Sequence, residues 1–261
     1  MLCREIIEKL EGTYPVHLAE AWDNPGLIAG RWEKEIKKVY IALDATEAVI
    51  AHAVQEGADL LLTHHPMLMQ PQKKINTGDF YGRRLITLIQ NDICYYAMHT
   101  NYDIVKMAPL AAEILGLDNV SVLEPTCTLA DGTEAGFGSV GTLPKHMTLA
   151  ECAAYVKQAF DIPSVKIFGD PQTPVYQAAL LPGSGKSMVH TAIQKHADVY
   201  ISGDFGHHDG IDAVDQGICV IDAGHYGIEH IFIKQMEQEI KERFPELSVV
   251  TEALAHPFEV L

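Results

Sequence analysis

The pair His64-His65, followed at once by Pro66, ends the run Asp59-Leu60-Leu61-Leu62-Thr63. Three successive leucines read as a strand buried on both faces. Pro66, with its fixed φ and missing N–H, stops that strand. Two imidazoles therefore fall where a buried strand leaves its sheet, the edge at which open α/β sheets collect ligands. One histidine there would read as packed or solvated; two in a row are harder to account for that way. Three further stretches carry the same chemistry: His99-Thr100-Asn101-Tyr102-Asp103, Asp204-Phe205-Gly206-His207-His208-Asp209 and His225-Tyr226-Gly227-Ile228-Glu229. His225 and Glu229 are four apart, one helical turn, and so share a face. An imidazole and a carboxylate at that spacing can meet on a metal ion. A solvated helix face is the other reading of such a pair; its place directly after an apolar strand favours the metal. Aspartates behind a strand often only build turns, a part Asn101 can fill. Asp103 is the ligand choice, because a His-rich site needs a carboxylate to hold a divalent ion.

His64, His65, Asp103, His225 and Glu229 together supply three imidazoles and two carboxylates. That is more than one catalytic zinc with an open position needs. It suits two ions sharing a bridging carboxylate, a pair ~3.5–4 Å apart that activates water and clamps the attacking and leaving oxygens. Nitrogen and oxygen donors without thiolate fit Zn, Mn, Fe, Co or Ni and disfavour Cu(I) and Ca. His99, Asp204, His207 and His208 form a second tier, able to orient ligands or carry protons; surface or cap chemistry accounts for each of them as well. Pro182-Gly183-Ser184-Gly185-Lys186-Ser187 looks at first like a phosphate loop, but Leu180 breaks the full pattern. It remains either a tight turn or a set of N–H groups able to meet a phosphate.

These groups need a scaffold of alternating strands and helices. Residues 39–43 read as a strand, 46–55 as a helix closed by Gly57, and 60–62 as the next strand, a βαβ unit that favours parallel pairing. A helix over 80–90 leads to a strand over 93–98 and then to His99. A helix over 109–115 stops at Gly116. Residues 2–11 suit an amphipathic helix. Residues 117–135 are weakly patterned and mark a lobe boundary. Beyond them come a strand over 136–143, a helix over 149–160 capped by Thr148, strands over 165–168 and 176–181, a helix over 188–196 and a strand over 199–201. A short helix over 211–214, a strand over 218–221, one long helix over 225–244 and an edge strand over 249–254 complete the pattern. Asn24-Pro25-Gly26 is turn chemistry, and Trp22 is expected to pack.

The 261 residues, 48% hydrophobic and 21% charged, describe an ordinary globular chain with a sizeable core. No apolar run reaches the ~18 residues that span a bilayer. The first ten residues mix acids among apolar positions, unlike a secretory signal, so a cytoplasmic location is expected. Five cysteines, an odd number without a CxxC, argue against a disulfide framework or a thiolate zinc site. Cys94 and Cys219 read as buried thiols. The net charge of −16 repels phosphate backbones and makes general nucleic-acid binding an unfavourable reading.

The ordered set HHP at 64–66, HTNYD at 99–103, SGDFGHHDG at 202–210 and HYGIE at 225–229, with WDNPGL at 22–27, resembles the NIF-three-like family. Its members are also known as GTP cyclohydrolase 1 type 2 homologs and as dinuclear-metal hexameric proteins. Each motif alone is weak; their order over residues 20–230 is specific. The resemblance implies two interlinked α/β lobes with mixed, mostly parallel sheets. Here the metal-carrying lobe is expected over 1–116 and 201–261 and the second lobe over 117–200, without the inserted domain of longer relatives. It also implies a toroidal homohexamer and two divalent ions per chain. His64 and His65 would go to different ions, Asp103 and His225 would complete them, and Glu229 would bridge. Glu229 and His99 are the catalytic candidates. Asp204 departs from the Glu expected in many relatives. The implied activity is hydrolytic opening of a purine ring, as in a GTP cyclohydrolase. The alternatives are a metal-dependent phosphoesterase acting on a nucleotide, or a metal-stabilised hexameric scaffold that binds protein partners.

Overall fold

The computed structural model describes residues 1–259. In chain order its elements are α1 (Cys3–Glu11), β1 (Gly26–Ala29), β2 (Lys38–Ala42), α2 (Glu47–Gln55), β3 (Leu60–Thr63), α3 (Phe80–Gln90), β4 (Cys94–Ala97) and α4 (Thr100–Tyr102). A π-helical turn (Asp103–Met107) leads to α5 (Ala108–Leu115), β5 (Asp118–Thr128), β6 (Glu134–Thr148), α6 (Leu149–Ala159), β7 (Lys166–Phe168), β8 (Pro174–Ser184), α7 (Val189–Gln194) and β9 (Val199–Gly203). Then come α8 (His207–Asp215), β10 (Cys219–Asp222), α9 (His225–Glu229), α10 (Ile231–Arg243) and β11 (Ser248–Thr251). The chain divides into two units, each built from two pieces. The first is Met1–Tyr102 with Phe232–Leu254; the second is Asp103–Ile231 with the segment from Ala255 on.

In the first unit the sheet order is β1-β4-β3-β2-β11. Strands β11, β2, β3 and β4 are parallel, and β1 closes the edge antiparallel to β4. Leu60, Leu61 and Leu62 are fully buried, as a central parallel strand covered on both faces must be. Each such leucine contributes about 1.5–3 kcal/mol of burial. Helix α2 starts where Thr46 accepts from Val49 N, satisfying one of the first-turn N–H groups. Its Val49, Ile50 and Ala53 join Tyr40, Leu61 and Tyr95 in one apolar core. Helix α10 belongs to this unit and buries Phe232, Met236 and Ile240, spaced four apart, with Phe244 buried just past its end. Because Ala42, Thr63 and Ala97 stand in register, the residues after β2, β3 and β4 leave the sheet at one edge.

In the second unit the order is β5-β6-β8-β9-β10-β7. The pairs β8–β9 and β9–β10 are parallel and the other three antiparallel, so this sheet is mixed. The division differs from the expected one. The strand at 199–203 hydrogen-bonds to β8 (Ala178 opposite Val199) and the strand at 219–222 to β9 (Cys219 opposite Val199), so backbone pairing takes residues 201–231 away from the first piece of chain. Residues 118–128 are a strand rather than a boundary. It is an edge strand with Leu123 its one fully buried residue, which leaves no alternation to read. The expected single helix over 225–244 is two, α9 and α10, with a turn at His230. The imidazole of His230 is buried there, its Nε2–H donating to Phe160 O at 2.8 Å. Among the described residues no helix is long and apolar enough to cross a membrane.

Candidate metal centre

In the first unit three histidines stand at the C-terminal edge of the parallel strands. His64 and His65 follow β3, and His99 follows β4. The backbone after β3 is pinned: Thr63 Oγ1 and Tyr95 Oη both donate to His65 O, at 2.9 and 3.0 Å. Each ring is held by its Nδ1. His64 Nδ1 bonds Met98 O, His65 Nδ1 bonds Asp44 Oδ1, and His99 Nδ1 bonds Asp23 Oδ1, all at 2.8 Å. A carbonyl and two carboxylates can only accept, so each Nδ1 carries a proton, and Nε2 is the ring atom that a metal would take from the neutral imidazole. One ring nitrogen from each of the three lies within 4.8 Å of the others. Asp23 is itself braced by Thr100, whose N and Oγ1 donate to Oδ2 at 3.0 and 2.5 Å. Burial alone would raise this carboxyl, but the bonds from His99 and Thr100 outweigh it and hold it down to about 2. Asn101 takes the turn role expected of it, its Oδ1 accepting from His99 N. Trp22 does not pack as expected: it is 58% exposed, with its ring edge-on to His99 at 5.8 Å.

The second unit carries the acids. Helix α9 brings His225 Nε2 to 2.9 Å from Glu229 Oε2, while His225 Nδ1 bonds Asp204 Oδ2 at 2.8 Å. Glu229 is buried, and an Asp103 carboxylate oxygen lies within 4.8 Å of one of its own. Asp103 heads the π-helical turn, whose Ile104 and Met107 anchor it in the core. Burial disfavours a charged His225, yet the carboxylates of Glu229 and Asp204 outweigh it and push the imidazole up to about 9. Asp222, at the end of β10, fixes the flanking loops: its carboxylate accepts from Phe205 N and Gly224 N and pairs with Lys166 at 2.6 Å. Of the stretch 182–187, Pro182, Gly183 and Ser184 end β8 and Lys186–Met188 form a short 3-10 turn. Gly183, at φ +82°, lies against the site, and a Cβ there would stand 2.4 Å from Glu229 Oε1. His207 and His208 are exposed at the start of α8, ring against ring at 5.1 Å. Beside His225 opens a cavity of about 1260 Å³, lined by His225, Tyr226, Asp204, Asp222, Lys166 and Phe258 among others. That is room for a ligand of nucleotide size.

The donors present fit divalent metal ions. Two carboxylates this close repel one another unless a cation or a proton stands between them. His225 Nε2 and Glu229 Oε2, 2.9 Å apart, stand at a distance that a shared proton bridges. The ring geometry is that of metal-ligating histidines, which give the second N–H to a carboxylate or carbonyl and so fix tautomer and orientation. Sequence reasoning missed Asp23 and Asp44 as ring partners and gave Asp204 no firm role. The available signal was position: each follows a strand or a turn, though 21 to 76 residues from the histidine it holds.

Fold and site define an α/β protein whose buried histidine and glutamate groups can hold metal. The chain belongs to the Duf34/NIF3 (NGG1p interacting factor 3) family, whose model matches residues 1–257. It is similar to a Clostridium perfringens protein named GTP cyclohydrolase 1 type 2 homolog, with 35% identity over 265 residues covering all of both chains. Among solved structures it is similar to a Bacillus cereus protein related to NIF3 (TM-score 0.91, 27% identity, 100% of this chain and 99% of that one). It is also similar to reduced HcgD from Methanocaldococcus jannaschii (TM-score 0.80, 33% identity, 96% and 97% covered).

Proposed function

We propose that the chain is a dinuclear divalent-metal-dependent hydrolase acting on a nucleotide in the cytoplasm. The observation that carries the reading is the shared orientation of His64, His65, His99 and His225, each with Nδ1 bound to an acceptor. In the proposed centre His64 and His65 go to different ions, Asp103 and His225 complete them, and Glu229 bridges. Two ions held this way would polarise a water and a substrate oxygen. The remaining work falls to the protein. His99, its Nδ1 proton fixed on Asp23, offers Nε2 to take or give a proton. Trp22 offers an exposed flat face beside it. The cavity next to His225 gives a substrate room. The name of the Clostridium perfringens relative supports a purine nucleotide and ring-opening hydrolysis; a phosphoesterase would use the same groups. The test is turnover of a panel of nucleotides by purified protein with added Mn or Zn. Hydrolysis of one of them supports the reading, and none across the panel with either metal overturns it. The family description, an interacting factor, favours a second reading, a metal-stabilised scaffold that binds protein partners.

Two expectations accompany the proposal. Protein purified without chelator should carry two divalent ions per chain by elemental analysis, and a single ion would defeat the dinuclear assignment. The chain should also assemble as a ring of six, closed symmetry being the rule for homo-oligomers. Light scattering should then give six times the chain mass of 28.7 kDa, and a species at the chain mass would refute the ring.

A further inference from the structure

The cavity beside His225 is lined by residues of the second unit alone. Lys166, the first residue of β7, stands opposite Asp222, the last of β10. Its ammonium donates to Phe205 O at 3.1 Å and pairs with Asp222 at 2.6 Å. An ammonium carries three N–H donors, one more than these two contacts use. Cross-strand pairing with Asp222 alone would explain a lysine at this position. Yet the Asp222 carboxylate is also satisfied by the backbone, accepting from Phe205 N and Gly224 N. The Lys166 side chain, moreover, is 64% exposed, whereas that of Asp222 is buried. Among the described residues that line the cavity, Lys166 is the one lysine or arginine. It also stands toward the metal-centre end: His225 Nδ1 bonds the Asp204 carboxylate, and Lys166 bonds the carbonyl of the next residue, Phe205. Two rings, Tyr226 and Phe258, form other parts of the wall. The Tyr226 ring is held by its hydroxyl, which accepts from Ala255 N at 3.0 Å.

We propose that Lys166 selects ligands by their phosphate, its ammonium taking a phosphate oxygen of a nucleotide whose base lies against the Tyr226 and Phe258 side of the cavity. The inference rests on the reading of the chain as a protein that acts on a nucleotide, and it adds which residue tells nucleotide from nucleoside. A nucleotide has a flat apolar face and a tetrahedral anion. The rings match the first, and a fixed ammonium matches the second. The chain carries a net charge of −16, so an anion that approaches it needs a local cation. Asp204 and Asp222 line the same cavity, but each is already engaged, with His225 and with Lys166 and the backbone. The remaining N–H of Lys166 is the donor a phosphate would meet.

The test is calorimetric titration of the full chain, purified without chelator, with guanosine and adenosine and with their 5′-monophosphates. At least one monophosphate should bind the wild type at least ~10-fold tighter than its nucleoside, the scale of a hydrogen bond to a charged group. Lys166→Met should remove most of that preference while binding the nucleoside as the wild type does, and Lys166→Arg should restore part of it. Comparing the four affinities as a cycle cancels what metal ions contribute to the phosphate. If Lys166→Met fails to fold, Lys166→Gln, neutral but still able to donate to Phe205 O, takes its place. A wild type without phosphate preference, or without measurable binding of any of the four compounds, overturns the inference, as does a preference that survives in Lys166→Met. The hydrolase reading is judged separately. Phosphate coupling to Lys166 with no turnover would uphold the subsite and refute the hydrolase; turnover of a nucleotide with KM unmoved in Lys166→Met would do the reverse.

Discussion

Glu229→Gln should strip the protein of metal and lower nucleotide hydrolysis by at least ~10²-fold, the scale on which catalytic groups act. Glutamine keeps the size of the side chain and removes the charge. Glu229 is buried, 2.9 Å from His225 Nε2 and within 4.8 Å of the Asp103 carboxylate, so the substitution removes an acid from the middle of the cluster. In the proposed dinuclear centre its loss would leave one carboxylate to balance two divalent ions. The fold should survive. Glutamine is nearly as good a helix former as glutamate, so α9 keeps its turn, and His225 keeps Asp204 as partner. The ring of six should therefore persist by light scattering, with metal content and turnover both lost. If purified variant and wild type hydrolyse nucleotides equally well, the activity belongs to a contaminant or another site and the enzyme reading fails. If neither turns over any nucleotide while partner binding follows ring integrity, the scaffold reading stands in its place.

Much of the frame that carries these groups was legible because its determinants are local. The run Leu60–Leu62 with Pro66 behind it, the Thr46 and Thr148 caps and the Gly116 stop each act within a few residues, and each element starts or ends where they place it. The metal-ligand candidates were legible because His and acidic residues at strand ends are uncommon in number and regular in placement. What escaped was set by contacts distant in sequence. The break between α9 and α10 has no proline or glycine to announce it; it goes with the bond from His230 to Phe160 O, seventy residues back. Assignment of β9 and β10 to the sheet of β8 is a matter of backbone pairing, on which side-chain pattern is silent. Strand β5 lies at an edge with most side chains in solvent, so hydrophobic periodicity has nothing to act on. Asp23 and Asp44 look like ordinary turn aspartates in sequence, and only the imidazoles they hold distinguish them.

Gly183→Ala tests the same centre from the opposite wall, without touching a ligand. Gly183 sits at φ +82°, and the added methyl would stand 2.4 Å from Glu229 Oε1, 3.3 Å from its Cδ and 3.7 Å from His225 Nε2. Two costs follow. Left-handed backbone disfavours alanine by about 1–2 kcal/mol, which in a chain of this size lowers the unfolding midpoint by roughly 2–8 °C. The overlap is relieved most cheaply at the end of the flexible Glu229 side chain, which turns its carboxylate away from where it meets His225. The expected result is metal loss approaching that of Glu229→Gln in a folded but less stable protein. Gly217→Ala separates the two costs: Gly217 has φ +93° and nothing within 4 Å of its added carbon. It should show a similar fall in midpoint and full metal content. Calorimetry and elemental analysis on the three variants read both quantities. Should Gly183→Ala hold metal as the wild type does, the Glu229 carboxylate has room to move without consequence, and the proposed bridging role would have to be given up.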